Sequence, residues 1–326
     1  ILRFKKVIAI AGTHGKTTTT SLVTSMLDSC GYNPSFLIGG VLLGIDSCAR
    51  LTSSEYFVIE ADEYDTAFFD KRPKFMHYRP YILILNNIEF DHADIYNDLN
   101  AIMQQFHYLV KTVPQNGCIV HASSDENIKN VLQLGIWSTT IGFGDSDVNT
   151  TWSIQGNEMY RKFTLLHDGI THKVQYNMLG RHNALNATAA IAALNYAGVA
   201  VFDAVAALHK FIGVRRRLEY KGTYNGVKFF DDFGHHPTAI SKVLHAICAD
   251  ENMRGRVYAL VELGSYTIRS GIMAEQLQQV LVDSAHAFVY LPPGVEVDFA
   301  WGQWSSSLDN ITYIADLETL VTSLAA

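Results

Sequence analysis

The sequence predicts an α/β protein of two domains, in which a mainly parallel sheet carrying a small antiparallel ribbon is followed by a second α/β unit. Three observations predict it. Short, almost unbroken apolar runs alternate with stretches of helical spacing, the pattern of strands buried on both faces beneath crossover helices. Between residues 151 and 176 the pattern changes to alternation broken by Gly156 and by Asp168-Gly169, which marks antiparallel hairpins. The 326 residues, at roughly 150 per domain, leave room for about two buried cores.

Residues 7–11 form the first apolar run and end at a glycine. In residues 17–30 Leu22, Val23, Met26 and Leu27 recur at helical spacing, so the opening reads strand, tight loop, helix. Residues 57–60, 82–85 and 118–121 read as further buried strands, with a helix over 99–110. The helix over 184–197 is rich in alanine and asparagine, which implies close packing. A second unit starts near Arg215: a strand over 227–230, a helix from Pro237 to about Ala249, strands over 257–261 and 287–291, and a final helix over 315–326. Pattern alone places the boundary near Gly213, giving domains 1–213 and 214–326.

Composition excludes several classes. With 48% apolar and 17% charged residues the chain is neither disordered nor fibrous. A formal charge of −7 lacks the basic face of a general nucleic-acid binder, and Arg215-Arg216-Arg217 is too short to alter that. Cys30, Cys48, Cys118 and Cys248 show no C-x-x-C pair, so neither a disulfide framework nor a zinc knuckle is indicated and a reducing cytoplasm suits the chain. No apolar run approaches the roughly 18 residues of a membrane span. Nothing points to an obligate protein partner. The chain opens on Ile1 with a strand following at once, so an upstream segment is expected.

The strongest chemical signal is Gly12-Thr13-His14-Gly15-Lys16-Thr17-Thr18, between a predicted strand and a predicted helix. Backbone N–H groups of such a loop converge at a helix N-terminus, where the macrodipole also favours phosphate. Lys16 suits the β and γ phosphates of ATP, and the Thr17 hydroxyl suits Mg²⁺. Two residues, not four, separate Gly12 from Gly15, so the loop is a variant. The competing reading is a chance Gly-Lys-Thr in a surface turn.

Glu60-Ala61-Asp62-Glu63 follows a strand, and Glu60, nearest its end, is the expected hard-oxygen ligand for Mg²⁺. Asp91-His92 follows the 82–85 strand, so three strand ends are expected to bring Thr17, Glu60 and His92 to one sheet edge. There Asp91 is placed to orient the His92 imidazole. Gly180-Arg181-His182-Asn183, with Asn186 three residues on, opens the alanine-rich helix and suits a base edge, although asparagine is also a routine cap. Arg217 suits a phosphate and Asp232, at a strand end, a ribose hydroxyl. A solvated basic face is the alternative for the arginines.

With these residues in hand, the chain resembles the ATP-dependent Mur ligases of peptidoglycan synthesis over nearly its whole length. The loop from Gly12 to Thr18 looks like the family's ATP loop, Glu60 and His92 like its magnesium ligands, and His182, Asn183 and Asn186 like its adenine-side motif. Arg217 and Asp232 match its phosphate and ribose contacts. The resemblance implies a P-loop-type central ATP-binding domain and a Rossmann-like α/β C-terminal ligase domain. It also implies that the family's N-terminal UDP-binding domain is absent from this chain and that the C-terminal domain is incomplete at its end.

Phe68-Phe69-Asp70-Lys71-Arg72, His77-Tyr78 and Asp232-Phe233-Gly234-His235-His236-Pro237 look most like the members that act in peptidoglycan recycling. These join UDP-N-acetylmuramate to L-alanyl-γ-D-glutamyl-meso-diaminopimelate through an acyl phosphate; members that add L-alanine are the alternative. Glu262-Leu263-Gly264-Ser265 stands where those recycling members usually carry Glu-Pro-Arg-Ser, so no substrate-binding arginine is carried over there. Lys16, His92 and His235 are the expected catalytic residues, with His235 or His236 taking the amine proton. A nucleotide hydrolase, or a binding module without catalysis, uses the same loop and stays open.

Overall fold

The computed structural model describes residues 1–146, 150–157, 159–250, 255–291 and 310–325. Glu158, inside the expected ribbon, and Ala326, at the end of the expected last helix, lie outside them. The chain divides into two compact units, Ile1–Phe90 with Asp98–Asp232, and Asp91–Asn97 with Phe233–Ala326.

In the first unit β1 (Lys6–Ala11) leads into α1 (Lys16–Ser29), then β2 (Ser35–Leu42), β3 (Ser47–Arg50) and β4 (Tyr56–Glu60). A small hairpin, β5 (Asp65–Ala67) and β6 (Asp70–Pro73), precedes β7 (Ile82–Leu85). The alternation continues through α2 (Leu99–Lys111), β8 (Cys118–Ala122), α3 (Glu126–Gln133) and β9 (Thr139–Asp145). Then come β10 (Trp152–Gly156), β11 (Lys162–His167), β12 (Ile170–Gln175), α4 (Arg181–Tyr196), α5 (Val201–Leu208), β13 (Glu219–Tyr224) and β14 (Val227–Asp231).

Ten strands make one sheet in the order β12-β11-β10-β9-β8-β7-β1-β4-β2-β3. From β2 to β10 along that order every pairing is parallel, and β3, β11 and β12 are antiparallel. Ile82, Leu83, Ile84 and Leu85 are all fully buried, so both faces are covered at the centre. The four apolar residues that set the period of α1, Leu22, Val23, Met26 and Leu27, are likewise fully buried. This helix packs on α4, whose Ala189, Ala190, Ala192 and Ala193 are fully buried and let the backbones approach closely.

The strand expected over 227–230 exists but lies in the first unit, not the second. It is β14, paired antiparallel with β13 around Asn225 and Gly226, whose φ of 50° and 81° make the tight hairpin turn that an Asn-Gly pair favours. Residues 213–217 stay with the first unit, because two backbone bonds tie them to β2 and the residue after it: Leu43 N–H donates to Gly213 O at 3.2 Å and Arg215 N–H donates to Val41 O at 3.0 Å. The unit therefore runs to Asp232, past the Gly213 boundary read from pattern.

The second unit holds α6 (Pro237–Cys248), β15 (Tyr258–Glu262), α7 (Tyr266–Arg269), α8 (Ala274–Leu281), β16 (His286–Tyr290), β17 (Ile311–Ile314) and α9 (Leu317–Ala325). Among the described residues its strands are parallel in the order β15-β16-β17. Phe288, Ile314 and Leu320 pack together as part of its core. Residues 91–97 join this unit, with Ala93 N–H bonded to Thr267 Oγ1 at 3.2 Å.

Candidate active site

The loop after β1 is shaped by two glycines that no other residue replaces without strain. Gly12 has φ 136° and a Cβ there would lie 2.9 Å from Asn87 O. Gly15, the N-cap of α1, has φ 78°, and a Cβ would lie 2.9 Å from Asn186 Oδ1 and 3.1 Å from Asn86 Nδ2. The segment after β7 braces the loop from beside it. Thr13 N–H bonds Asn87 O at 3.1 Å, His14 N–H bonds Asn87 Oδ1 at 2.8 Å, and Glu89 N–H bonds Thr13 Oγ1 at 2.8 Å. Among the described residues His14 Nε2 lies 3.5 Å from a Glu89 carboxylate oxygen.

Thr17 opens α1 and is 3% exposed; its hydroxyl donates to Glu60 Oε1 at 3.0 Å. Glu60 ends β4, which pairs beside β1 with Ile10 opposite Glu60, so parallel register brings the carboxylate to the loop. Its Oε2 accepts from Gly39 N–H of β2 at 2.7 Å. Lys16 Nζ lies 3.1 Å from Glu63 and 3.6 Å from Asp62. Burial lowers the affinity of Lys16 for its proton, but Glu63, Asp62 and Glu60 outweigh it and hold the ammonium well above the ordinary lysine value. Tyr78 shares this acidic field: burial, then Asp62 and Glu60, raise its phenol above the usual range.

Arg217 comes from two hundred residues along the chain and donates from Nη2 to Thr17 Oγ1 at 2.9 Å. Sharp turns on either side aim it. Arg216 and Leu218 have φ of 56° and 48°, a left-handed conformation that costs a side-chain-bearing residue energy. Arg216 N–H is held by Glu219 Oε2 at 2.9 Å and Leu218 N–H by Asp232 Oδ2 at 2.7 Å. One oxygen of Asp232 is thus engaged in holding the Arg217 turn. Asn183 and Asn186 are buried at the start of α4: Asn183 Nδ2 donates to Leu179 O at 2.8 Å, and Asn186 lies against Gly15. His182 is half-buried on the first turn, and Thr18 is buried in α1.

In the second unit, Asp91 Oδ1 accepts the His92 backbone N–H at 2.7 Å, and His92 takes φ 56°. Asp91 is 5% exposed. Burial opposes its charge, yet His92, through its charge and its N–H, and then His236 and His235 hold the carboxyl below its ordinary value. His236 is buried and caps α6, its Nδ1 accepting from Thr238 N–H at 3.2 Å, and His235 beside it is half-buried. Leu263 of the Glu262-Leu263-Gly264-Ser265 segment is buried, and Ser265 caps α7.

The structure therefore brings Lys16, Thr17, Glu60, Gly15, Asn186 and Arg217 together. Sequence reasoning overlooked Asp62 and Glu63 as neighbours of Lys16, Asn86 beside Gly15, and Gly39 beside Glu60. The Asn225-Gly226 pair was a readable signal for the hairpin that carries the Arg217 turn's carboxylate. The donor set fits a nucleotide with its magnesium: a glycine cradle that a Cβ would fill, a helix N-terminus, a lysine, and the hard oxygens of Thr17 and Glu60.

The Mur ligase middle domain, as a family, matches residues 10–194, and the Mur ligase glutamate ligase domain matches residues 216–326. The chain belongs to the Mur ligase family. The Escherichia coli (strain K12) ligase named for UDP-N-acetylmuramate and L-alanyl-gamma-D-glutamyl-meso-2,6-diaminoheptandioate is 43% identical over 327 residues, covering 95% of this chain and 70% of that relative. A UDP-N-acetylmuramate and L-alanine ligase from Acetivibrio thermocellus is 33% identical over 283 residues, 85% of this chain and 58% of the relative. The solved murein peptide ligase from Psychrobacter arcticus is 35% identical with a TM-score of 0.77, covering 100% of this chain and 72% of its own. The motif-based resemblance and the α/β architecture expected of a Mur ligase are both borne out. Among the described residues of this Mur ligase chain, no helix is long and apolar enough to cross a membrane.

Proposed function

We propose that this chain carries the ATP-binding part and the ligase part of a cytoplasmic enzyme of peptidoglycan recycling. It joins UDP-N-acetylmuramate to the tripeptide L-alanyl-γ-D-glutamyl-meso-diaminopimelate and splits ATP to ADP and phosphate. The observation that carries this reading is the 43% identity to a ligase of that name over 95% of this chain.

In the first step a muramoyl carboxylate oxygen bonds to the γ phosphorus and the bond to the ADP oxygen breaks. Two anions must meet, so catalysis is largely positioning and charge compensation. The amides from Gly12 to Thr18 and the start of α1 receive the phosphates, and Lys16 faces the charge that develops on the transferred group. Arg217 takes phosphate and Asp232 ribose, while His182, Asn183 and Asn186 form the adenine side. Thr17, Glu60 and His92 are the residues that would hold magnesium, which supplies neutralisation of the phosphate oxygens when bound. In the second step the tripeptide amine bonds to the acyl carbon, the carbon–oxygen bond to phosphate breaks, and His235 accepts the amine proton.

The test is ADP release from the purified enzyme given UDP-N-acetylmuramate with tripeptide, with L-alanine, or with neither. Tripeptide-dependent release is expected. Release that requires L-alanine identifies the alanine-adding reaction instead, and release without an amine identifies a nucleotide hydrolase.

A further inference from the structure

We infer that Gly39 and Gly40, side by side in β2, are positioning residues that reserve the space in which Glu60 and Thr17 hold their places; the inference rests on the magnesium role assigned above to those two. Neither glycine lies in the left-handed region, so the backbone at both admits any residue. What each lacks is room. A Cβ on Gly39 would stand 2.8 Å from Glu60 Oε2 and 3.1 Å from both Cδ and Oε1 of the same carboxylate. A Cβ on Gly40 would stand 2.8 Å from Thr17 Cγ2 and 3.3 Å from Val214 Cγ1. Real Cβ contacts do not reach 2.8 Å, so in each case the neighbouring side chain must move.

The two glycines press on different ligands of one pair. Gly39 also does something a larger residue could do only with the carboxylate displaced: its N–H donates to Glu60 Oε2 at 2.7 Å. Glu60 is therefore fixed at both oxygens, by the Thr17 hydroxyl on Oε1 and the Gly39 amide on Oε2. Parallel pairing of β2 with β4, Leu37 opposite Ile59, delivers that amide to the end of β4. A glycine pair inside a strand weakens it, and here the weakness is offset by an oriented carboxylate.

The experiment is a pair of double-mutant cycles read by Mn²⁺ binding, as a spectroscopic stand-in for Mg²⁺, in the presence of a nonhydrolysable ATP analogue. Gly39→Ala is expected to weaken Mn²⁺ affinity about 10-fold or more, with the unfolding midpoint little changed. Glu60→Asp, one methylene shorter, should weaken binding much less in the Gly39→Ala background than alone. Gly40→Ala should likewise weaken Mn²⁺ binding, and Thr17→Ser, which keeps the hydroxyl and deletes the methyl that meets the new Cβ, should restore it. A chain in which Gly39→Ala fails to fold is judged on the Gly40 and Thr17 cycle alone. Additive effects in both cycles, or unchanged Mn²⁺ affinity in both glycine variants, overturn the inference. Glu60→Ala separates the two levels: if it leaves Mn²⁺ binding intact, the magnesium role is what fails; if it abolishes binding while the glycine variants bind normally, only the positioning role fails.

Discussion

Thr17 Oγ1 donates its single hydroxyl proton to Glu60 Oε1 at 3.0 Å and itself accepts from Arg217 Nη2 at 2.9 Å. One buried hydroxyl therefore joins the first helix, the end of β4 and a turn that lies far along the chain. Removing it leaves a carboxylate and a guanidinium without their common partner. Thr17→Ala is expected to lower ADP formation about 100-fold, whereas Thr17→Ser, which keeps the oxygen, should stay within about 10-fold of the parent. Steady-state ADP release checks both.

Lys16 and Glu63 form a buried ion pair, 11% and 2% exposed. Deleting one partner strands the other charge away from water. Lys16→Met is expected to cost about 3 kcal/mol in urea unfolding, and Glu63→Gln added to it should recover most of the loss. Lys16→Ala should also abolish ADP formation. Retained turnover removes the loop from the mechanism.

Gly15 combines a left-handed φ of 78° with contact to Asn186. An alanine there meets two separate penalties. Gly15→Ala is expected to destabilise the chain by about 1–2 kcal/mol and to weaken ATP binding. Asn186→Ala relieves the contact but not the backbone strain, so the double variant should remain less stable than Asn186→Ala alone. Thermal unfolding and nucleotide titration measure the two effects.

Cys118 lies in a central strand and is fully buried, and burial pushes its thiol up to about 12 from the ordinary 9.0. The thiolate is the reactive form. A thiol reagent at pH 8 should modify the exposed Cys48 and leave Cys118 untouched until denaturant is added. Above pH 9.0 the unfolded thiol ionises while the folded one stays neutral, so the folded chain binds more protons there. Stability should therefore fall as pH rises from 9.0 towards about 12, and Cys118→Ala should flatten that decline.

Much of the first unit was legible because its signals are local. Residues 82–85 were read as a strand and are β7, and the apolar spacing in α1 marks the face that is buried. β2 was missed for an equally local reason, since Gly39-Gly40 interrupts its run and reads as a loop. β14 was read as a strand and placed in the second unit, with no partner assigned to it. Its Asn225-Gly226 turn was the clue, and an isolated apolar run carries no information about which neighbour it pairs with. The alternation over residues 151–176 gave the antiparallel pairs, although the parallel seam between β9 and β10 is a long-range choice.

By itself the sequence determined the chemistry available: a glycine loop before a helix, a lysine and threonine at its start, a glutamate at a strand end, and arginines later in the chain. Those follow from steric rules and hydrogen-bonding capacity that act within a few residues. Only the tertiary structure decided that Arg217 meets Thr17, that Lys16 lies between Asp62 and Glu63, and that Asn186 backs Gly15. Each of these contacts depends on strand order and parallel register, which are set by how the whole sheet buries its two faces rather than by any short stretch of chain.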